Sequence, residues 1–260
     1  MTGSEVVDFD GDLGRMLLKT ENISVSIGGL HILRHVHVEM EEGRITSIIG
    51  PNGAGKTTLF NVITGRMAPS GGRVWFREKD ITGWPPHEIA RTGIARSFQI
   101  TNIFKNMTVF DNICIAAQTK FPFRTSIFSQ VSEDVSTPAE AETVLDLIGL
   151  GSLKDKLARE LSHGDQRRLE IGMSLAIGPD FLMLDEPTSG MSPAETASTI
   201  DLIRSLRERV TICIIEHKMG LVMTVSDKIV VLNLGEKIAE GSPQDIASNN
   251  EVQRVYLGTP

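Results

Sequence analysis

The chain has 260 residues, a length that suits one large domain or a core with an appended subdomain. Its composition, 40% hydrophobic and 23% charged, is ordinary for a globular protein. Because 26 basic side chains face 33 acidic ones, the net charge of -7 gives no overall attraction for phosphate backbones, and nucleic acid is excluded as an expected partner. No apolar run reaches 18 residues, so the sequence predicts no membrane-spanning segment.

The first 15 residues are acidic, whereas a secretory signal carries positive charge followed by an apolar block. They are predicted to form a flexible leader, and export is not expected. The 2 cysteines, Cys114 and Cys213, cannot build a disulfide framework and suit a reducing cytoplasm. Both are interpreted as small core residues.

The first structured part of the chain has the pattern of an antiparallel hairpin. Apolar and polar residues alternate from Met16 to about Glu42, and Gly28-Gly29 supplies a turn signal between two strands. After a Pro-Ser-Gly-Gly turn, the run Arg73 to Phe76 predicts a further strand that returns to pair with this hairpin.

A glycine-rich loop lies between a predicted strand and a predicted helix. The strand is Arg44 to Ile49, and the helix is Lys56 to Thr64, closed by Gly65. The loop fits the pattern G-x-x-x-x-G-K-[ST], whose backbone N-H groups and helix N-terminus surround phosphate groups. The residues predicted to bind the triphosphate are Gly50, Pro51, Asn52, Gly53, Ala54, Gly55, Lys56, Thr57 and Thr58. In this site the Lys56 ammonium reaches the β and γ phosphates, and the Thr57 hydroxyl binds Mg²⁺.

The middle third of the sequence is predicted to be helical. Ala141, Val144, Leu145 and Ile148 recur at helical spacing and define an amphipathic helix. This third is interpreted as a helical insertion, about residues 100–165, in a nucleotide-binding core.

The last third alternates strands with helices. The predicted strands are Phe181 to Leu184, Thr211 to Ile215 and Lys228 to Leu232, and a helix with a capping box at Ser192 and Glu195 follows the first of them. Alternating strands and helices are typical of a mostly parallel sheet.

Two carboxylates follow the strand at 181–184. Asp185 is placed to hold Mg²⁺ at the tip of the strand, near the glycine loop. Glu186, one residue further on, is placed to orient and polarise the water that attacks the γ phosphate. Such a pair alone is often a solvated strand end, but its place downstream of the phosphate loop favours the functional interpretation.

Leu161-Ser162-His163-Gly164-Asp165-Gln166 precedes another predicted helix. Ser162 and Asp165 have the spacing of a helix cap. A cap does not require Gly164, whose missing side chain lets a phosphate approach the helix N-terminus.

From about Met16 to Gly258, the chain resembles the ATP-binding subunits of ABC transporters, whose LSGGQ signature is LSHGD here, at 161–165. The resemblance implies an α/β fold: a P-loop NTPase core with a mostly parallel sheet, an antiparallel β subdomain and a helical insertion. It implies ATP and Mg²⁺ as ligands, and a head-to-tail dimer in which Ser162, Gly164 and Asp165 complete the partner's ATP site.

The resemblance also assigns two further residues. Gln99 matches the glutamine that senses the γ phosphate, contacts the transmembrane partner and joins Thr57 and Asp185 at the metal. His217 matches the histidine that contacts the γ phosphate. The catalytic set is then Glu186, His217, Gln99 and Lys56.

Two positions depart from the pattern of the family. Most relatives have an aromatic ring near the first hairpin turn to stack on adenine, but this chain has Ile27, so base stacking is expected to be weaker by about 1 kcal/mol or more. Ser192 stands where many relatives have aspartate or asparagine, in the loop that contacts the second subunit.

Four segments resemble the ATPases of branched-chain amino-acid importers in particular: residues 94–113, LSHGDQRRLEIGMSLA, EHKM at 216–219 and the ending RVYLGTP. Membership implies permease subunits, a second ATPase subunit, identical or different, and an extracytoplasmic solute-binding protein. The chain is then expected at the cytoplasmic face of the inner membrane as a peripheral subunit. The transported solute does not contact this subunit, so the sequence does not name it.

Three alternatives remain at this point. The chain resembles, in motif pattern, the ATPases of lipopolysaccharide-type exporters. A soluble ABC protein acting on ribosomes or DNA would need a second ATP cassette or a long coiled-coil insertion, and neither is in the sequence. A nucleotide-gated scaffold without hydrolysis is disfavoured by Glu186 and His217.

Overall fold

The computed structural model describes residues 15–97, 103–118 and 136–257 of the chain. The strands in these ranges are β1 Met16–Ile27, β2 Leu30–Glu41, β3 Ile45–Ile49, β4 Gly71–Phe76, β5 Lys79–Asp80, β6 Ile94–Arg96, β7 Phe181–Asp185, β8 Thr211–Ile215, β9 Lys228–Asn233 and β10 Glu236–Gly241. The helices are α1 Lys56–Ile63, α2 Pro86–Arg91, α3 Val109–Gln118, α4 Ser136–Leu147, α5 His163–Ala176, α6 Pro193–Leu206, α7 Met219–Val225, α8 Pro243–Ser248 and α9 Asn250–Leu257. None of the helices described is long and apolar enough to cross a membrane.

An antiparallel sheet with the strand order β2-β1-β4-β5 contains the first hairpin. β1 and β2 pair across the Gly28-Gly29 turn, and β4 pairs with the other edge of β1, with Leu18 opposite Phe76. The predicted hairpin and the predicted return of the strand at 73–76, which is β4, are therefore confirmed.

The second sheet described has the order β10-β9-β3-β8-β7-β6. β3, β8, β7 and β6 run parallel, as do β3 and β9, while β10 returns antiparallel to β9. Every residue of β3, β7 and β8 is buried, since helices and the antiparallel sheet cover the two faces, and this is why these strands are continuous apolar runs. The predicted mostly parallel sheet is confirmed.

The order of this sheet brings distant parts of the chain to one edge. Pairing places Ile48 opposite Ile215, and Asp185 opposite Ile215 on the other side of β8. The carboxyl ends of β3, β7 and β8 therefore lie side by side, where ligands bind in open α/β sheets.

The amphipathic helix predicted in the middle third is α4. Ala141 and Leu145 are buried, as is Ile148 just beyond the last turn, while Val144 is half-buried against the same core. α3 and α5 pack beside α4 and share this core. Most of the adjoining segment 119–138 lies outside the described residues.

Candidate nucleotide-binding site

The glycine loop connects β3 to α1, as predicted, and two of its glycines lie against other strands. A Cβ on Gly50 would meet the Leu232 carbonyl oxygen of β9 at 2.2 Å, and a Cβ on Gly55 would meet the Leu33 side chain at 2.5 Å. Gly55 is also the N-cap of α1, with φ +100° and no side-chain cap. The first backbone N-H groups of α1 are therefore left for an anion rather than for a capping side chain.

Lys56 is the first residue of α1 and is buried. Its Nζ donates to the carbonyl oxygens of Gly50, at 2.7 Å, and Pro51, at 3.0 Å, across the loop. Desolvation lowers the pKa of this ammonium, while the charges of Glu186 and Asp185 oppose the change. The two carbonyl groups thus hold the Lys56 ammonium over the loop. A phosphate oxygen could accept the same hydrogen bonds in their place.

Thr57 and Thr58 follow Lys56 in the first turn of α1; Thr57 is exposed and Thr58 is half-buried. The Thr57 side chain is therefore accessible to a ligand at the start of α1. The oxygen donors named by the sequence, the Thr57 hydroxyl and the Asp185 carboxylate, are of the chemical type that Mg²⁺ prefers.

Asp185 ends β7 and is 1% exposed. Its Oδ2 accepts a hydrogen bond from Nη2 of Arg96 at 2.7 Å, and the other terminal nitrogen of Arg96 donates to Asn61 on α1 at 2.8 Å. The Arg96 guanidinium also lies over the ring of Phe60. Sequence reasoning missed Arg96; it lies on β6, which pairs with β7, and that pairing brings it to the carboxylate.

Glu186 follows β7 in a left-handed conformation, φ +47°, and its N-H donates to the carbonyl oxygen of Ile215 at 2.9 Å. Its Oε1 is 3.7 Å from Nδ1 of His217, which follows β8. Neighbouring strand ends thus bring together Glu186 and His217, which are 31 positions apart. Both side chains are partly exposed, at the edge of the sheet from which the glycine loop also starts.

The LSHGD segment begins α5. Ser162 is the N-cap, and its hydroxyl oxygen accepts from the N-H of Asp165 at 3.1 Å, so the predicted cap is confirmed. The N-H of Gly164 donates to Oε1 of Glu195, at 3.2 Å, on the first turn of α6. Glu195 and Ser192 also form the predicted capping box of α6. The sequence predicted the cap but not its contact with Gly164.

Gln99 lies outside the described residues, since the structure resumes at residue 103. Ile27, at the turn of the first hairpin, is 54% exposed, and its cross-strand partner Leu30 is 65% exposed. The turn where the family resemblance implies an aromatic ring therefore presents aliphatic side chains to solvent.

A strand, a glycine loop, a helix starting with lysine and threonine, and carboxylates at the end of another parallel strand of the same sheet together define a P-loop nucleoside triphosphatase. Residues 33–189 match the family model of the ABC transporters. The chain belongs to the ABC transporter family, and it is one of the ATP-hydrolysing cassettes. Residues 236–260 also match a second family model, described as a branched-chain amino acid ATP-binding cassette transporter.

Curated relatives match almost the whole chain. It is 41% identical to the high-affinity branched-chain amino acid transport ATP-binding protein LivG of Salmonella typhimurium, over 95% of this chain and 99% of the relative. It is 39% identical to BraF of Pseudomonas aeruginosa, described in the same words, with the same coverage. Among solved structures, the ADP conformation of an ATP-binding cassette of an ABC transporter superposes with a TM-score of 0.83 at 33% identity, covering 94% of this chain and 99% of that one. The predicted fold class is thus confirmed.

Proposed function

We propose that this ATPase powers the uptake of branched-chain amino acids, or of a related small amide or carboxylate solute. The names of the LivG and BraF relatives support this, as does the match of residues 236–260 to the branched-chain family model. The same relatives favour an importer over an exporter of the lipopolysaccharide type and over a soluble ABC protein. The chain would act at the cytoplasmic face of the membrane, bound to permease subunits that receive solute from an extracytoplasmic binding protein.

The geometry that carries the proposed chemistry is the shared edge of the sheet where β3, β8 and β7 end, because the glycine loop, His217 and the two carboxylates follow these strand ends. In this proposal main-chain N-H groups between residues 50 and 58 bind the phosphates, except at Pro51, which has no N-H. Lys56 turns from the Gly50 and Pro51 carbonyls to the β and γ phosphates.

Three residues are assigned to the metal: Thr57, Asp185 and Gln99. Mg²⁺ would neutralise charge on the β and γ phosphate oxygens. Asp185 must then reorient or share its carboxylate, because Arg96 already donates to Oδ2. The Oδ1 atom and an intervening water provide a way to do so without breaking the buried ion pair.

Glu186 would orient the attacking water, and His217 would contact the γ phosphate from the neighbouring strand end. Their side chains are 3.7 Å apart, so Glu186 could contact the water while His217 contacts the γ phosphate. Ser162, Gly164 and Asp165 would complete the site of a second ATPase subunit. Closure of that dimer on ATP would move the permeases, and hydrolysis would reopen it.

A comparison of Glu186→Gln with the unaltered chain tests the ATPase assignment. The amide keeps the size of the side chain but cannot act as a base, so turnover should fall by about 10² to 10⁴ while magnesium-dependent binding of ATP persists. Equal turnover would remove the role of Glu186, and no binding of ATP would overturn the site.

Uptake of labelled leucine by cells that lack the chain tests the transport assignment. The unaltered gene should restore uptake, and Glu186→Gln should not. Leucine uptake that is unaffected by loss of the chain would contradict branched-chain amino acids as the solute, but neither the ATPase assignment nor a related amide or carboxylate solute.

A further inference from the structure

The residue before His217 is a fully buried carboxylate. Oε1 of Glu216 accepts hydrogen bonds from the hydroxyl of Thr188, at 2.7 Å, and from its backbone N-H, at 3.3 Å. Oε2 accepts from the N-H of His217 at 3.1 Å. A buried carboxylate is tolerated only where such donors replace its lost hydration, and here three donors do so.

The residue after His217 binds the same threonine. Nζ of Lys218 donates to the carbonyl oxygen of Thr188 at 3.1 Å. The N-H, the hydroxyl and the carbonyl of Thr188 are therefore all engaged by the two neighbours of His217. Thr188 is itself fully buried, so water does not compete for these bonds.

Thr188 comes two residues after Glu186, whose backbone is held in the left-handed region, φ +47°. On the other side, the N-H of Glu186 donates to Ile215, the residue immediately before Glu216. The loop that carries Glu186 is thus tied to the loop that carries His217 at both of its ends. Between the two tied loops, Oε1 of Glu186 lies 3.7 Å from Nδ1 of His217.

We propose that Glu216 and Thr188 are positioning residues for ATP hydrolysis, which act by fixing Glu186 and His217 relative to each other. Neither needs to touch the nucleotide. The inference rests on the roles of Glu186 and His217 proposed above. A displacement of about 1 Å in a catalytic group can cost about 10²-fold in rate, so the ties matter for turnover more than for binding.

Two substitutions break different bonds of this network. Thr188→Val keeps the shape of the side chain and removes the hydroxyl donor. In Glu216→Gln the amide oxygen can still accept from Thr188, but the amide nitrogen faces the N-H of His217, donor against donor. Each variant should lower kcat about ten- to hundredfold, which is the rate effect that corresponds to losing one hydrogen bond to a charged group. The KM for ATP should stay within about twofold of that of the unaltered chain.

Asp227→Asn is the matched control. Asp227 accepts from the N-H of Ile45 at 2.8 Å and pairs with Arg207 at 3.1 Å, at the amino end of β3, the opposite edge of the sheet. The same carboxylate-to-amide change there should leave kcat unchanged, even if it lowers the melting temperature as much as Glu216→Gln does.

A double-mutant cycle separates positioning from a general loss of structure. In a Glu186→Gln background, Thr188→Val should have little further effect on the single-turnover rate, because the placement of Glu186 relative to His217 no longer serves a working base. Unchanged kcat in both single variants, or full additivity with Glu186→Gln, would overturn the inference. If the unaltered chain itself does not hydrolyse ATP, the proposed function fails instead.

Discussion

The N-H of Gly164 donates to Oε1 of Glu195, so the first turn of α5 is held to the first turn of α6 by a carboxylate from the same chain. The contact is close: a Cβ on Gly164 would lie 2.6 Å from that oxygen. If Gly164 binds the partner's nucleotide as proposed, a γ phosphate must displace Glu195 from this N-H. Glu195 also accepts the N-H of Ser192 at 2.9 Å, so the exchange would alter the loop that leads into α6.

We predict that Glu195→Gln lowers the melting temperature above about pH 4.5 and that the difference fades in acid. Hydrogen bonds from Ser192 and Gly164 hold the pKa of Glu195 below its ordinary value of 4.5. A carboxyl whose pKa is lower in the folded state stabilises the fold above its unfolded pKa and loses that effect as the pH falls through its folded pKa. Thermal unfolding at several pH values measures this.

Asp245→Asn is the control for Glu195→Gln, because Ser242 and Asp245 form a capping box on α8 in which, among the described residues, the Asp245 carboxylate accepts hydrogen bonds from Ser242 alone. Both variants should lose thermal stability at neutral pH. Only Glu195→Gln should speed hydrogen exchange at the Gly164 amide. Equal exchange in the two variants would show that the contact does not protect this amide.

The buried pair of Arg96 and Asp185 gives a second prediction. Arg96→Met leaves the Asp185 carboxylate buried without its cation, and this should cost about 3 kcal/mol or more in the free energy of unfolding measured with urea. Arg77→Met is the control, since its ion pair with Asp180 has the same chemistry, at 2.9 Å, but both side chains are 42% exposed. That change should cost about 1 kcal/mol or less. Equal losses of unfolding free energy in the two variants would mean that burial does not determine how much the ion pair contributes to stability.

The sequence was sufficient to predict the glycine loop between β3 and α1 and the two carboxylates at the end of β7, because each is a local pattern between a strand and a helix. It was not sufficient for Arg96, which meets Asp185 only through the pairing of β6 with β7, a tertiary relationship 89 positions apart. The sequence did not predict the burial of Glu216 either. A carboxylate after an apolar strand is usually solvated, and only the fold places Thr188 against it.

The helix caps separate what short-range sequence patterns predict from what depends on the tertiary fold. The spacing of Ser192 and Glu195 predicts a capping box, and the structure has it. The other carboxylate oxygen of Glu195 accepts a hydrogen bond from the N-H of Gly164, and this bond joins two helices that are adjacent only in the folded chain. The amphipathic pattern likewise predicted α4, but not that α3 and α5 are its partners.

The aliphatic hairpin turn gives a third prediction. Ile27→Tyr should tighten ATP binding by about 1 kcal/mol or more, since an aromatic ring can stack on the base where Ile27 is exposed. Titration calorimetry should show no gain for inorganic tripolyphosphate, which has no base. Met16→Tyr, at the other end of β1, is the control and should leave both affinities unchanged. A gain for tripolyphosphate, or none for ATP, would show that the adenine does not lie at this turn.

Lys56 gives the last prediction. Lys56→Met should lower the rate of ATP hydrolysis by about 10² to 10³, since it removes a preorganised charge from the phosphates. At a ligand concentration of about 100 times Kd, ATP should stabilise the unaltered chain by about 2.7 kcal/mol. The variant should show little of this gain in thermal unfolding with magnesium and ATP.

The pH dependence of ATP binding adds a test of the ammonium itself. Burial lowers the pKa of Lys56 below the ordinary 10.5, so the free loop loses this charge at a lower pH than an exposed lysine would. The protonated form is the one that attracts phosphate, so affinity for ATP should fall as the pH rises through that lowered pKa. Calorimetry from pH 7 upward should show this decline in the unaltered chain and a flatter profile in Lys56→Met. Parallel profiles would place the titrating group elsewhere in the site.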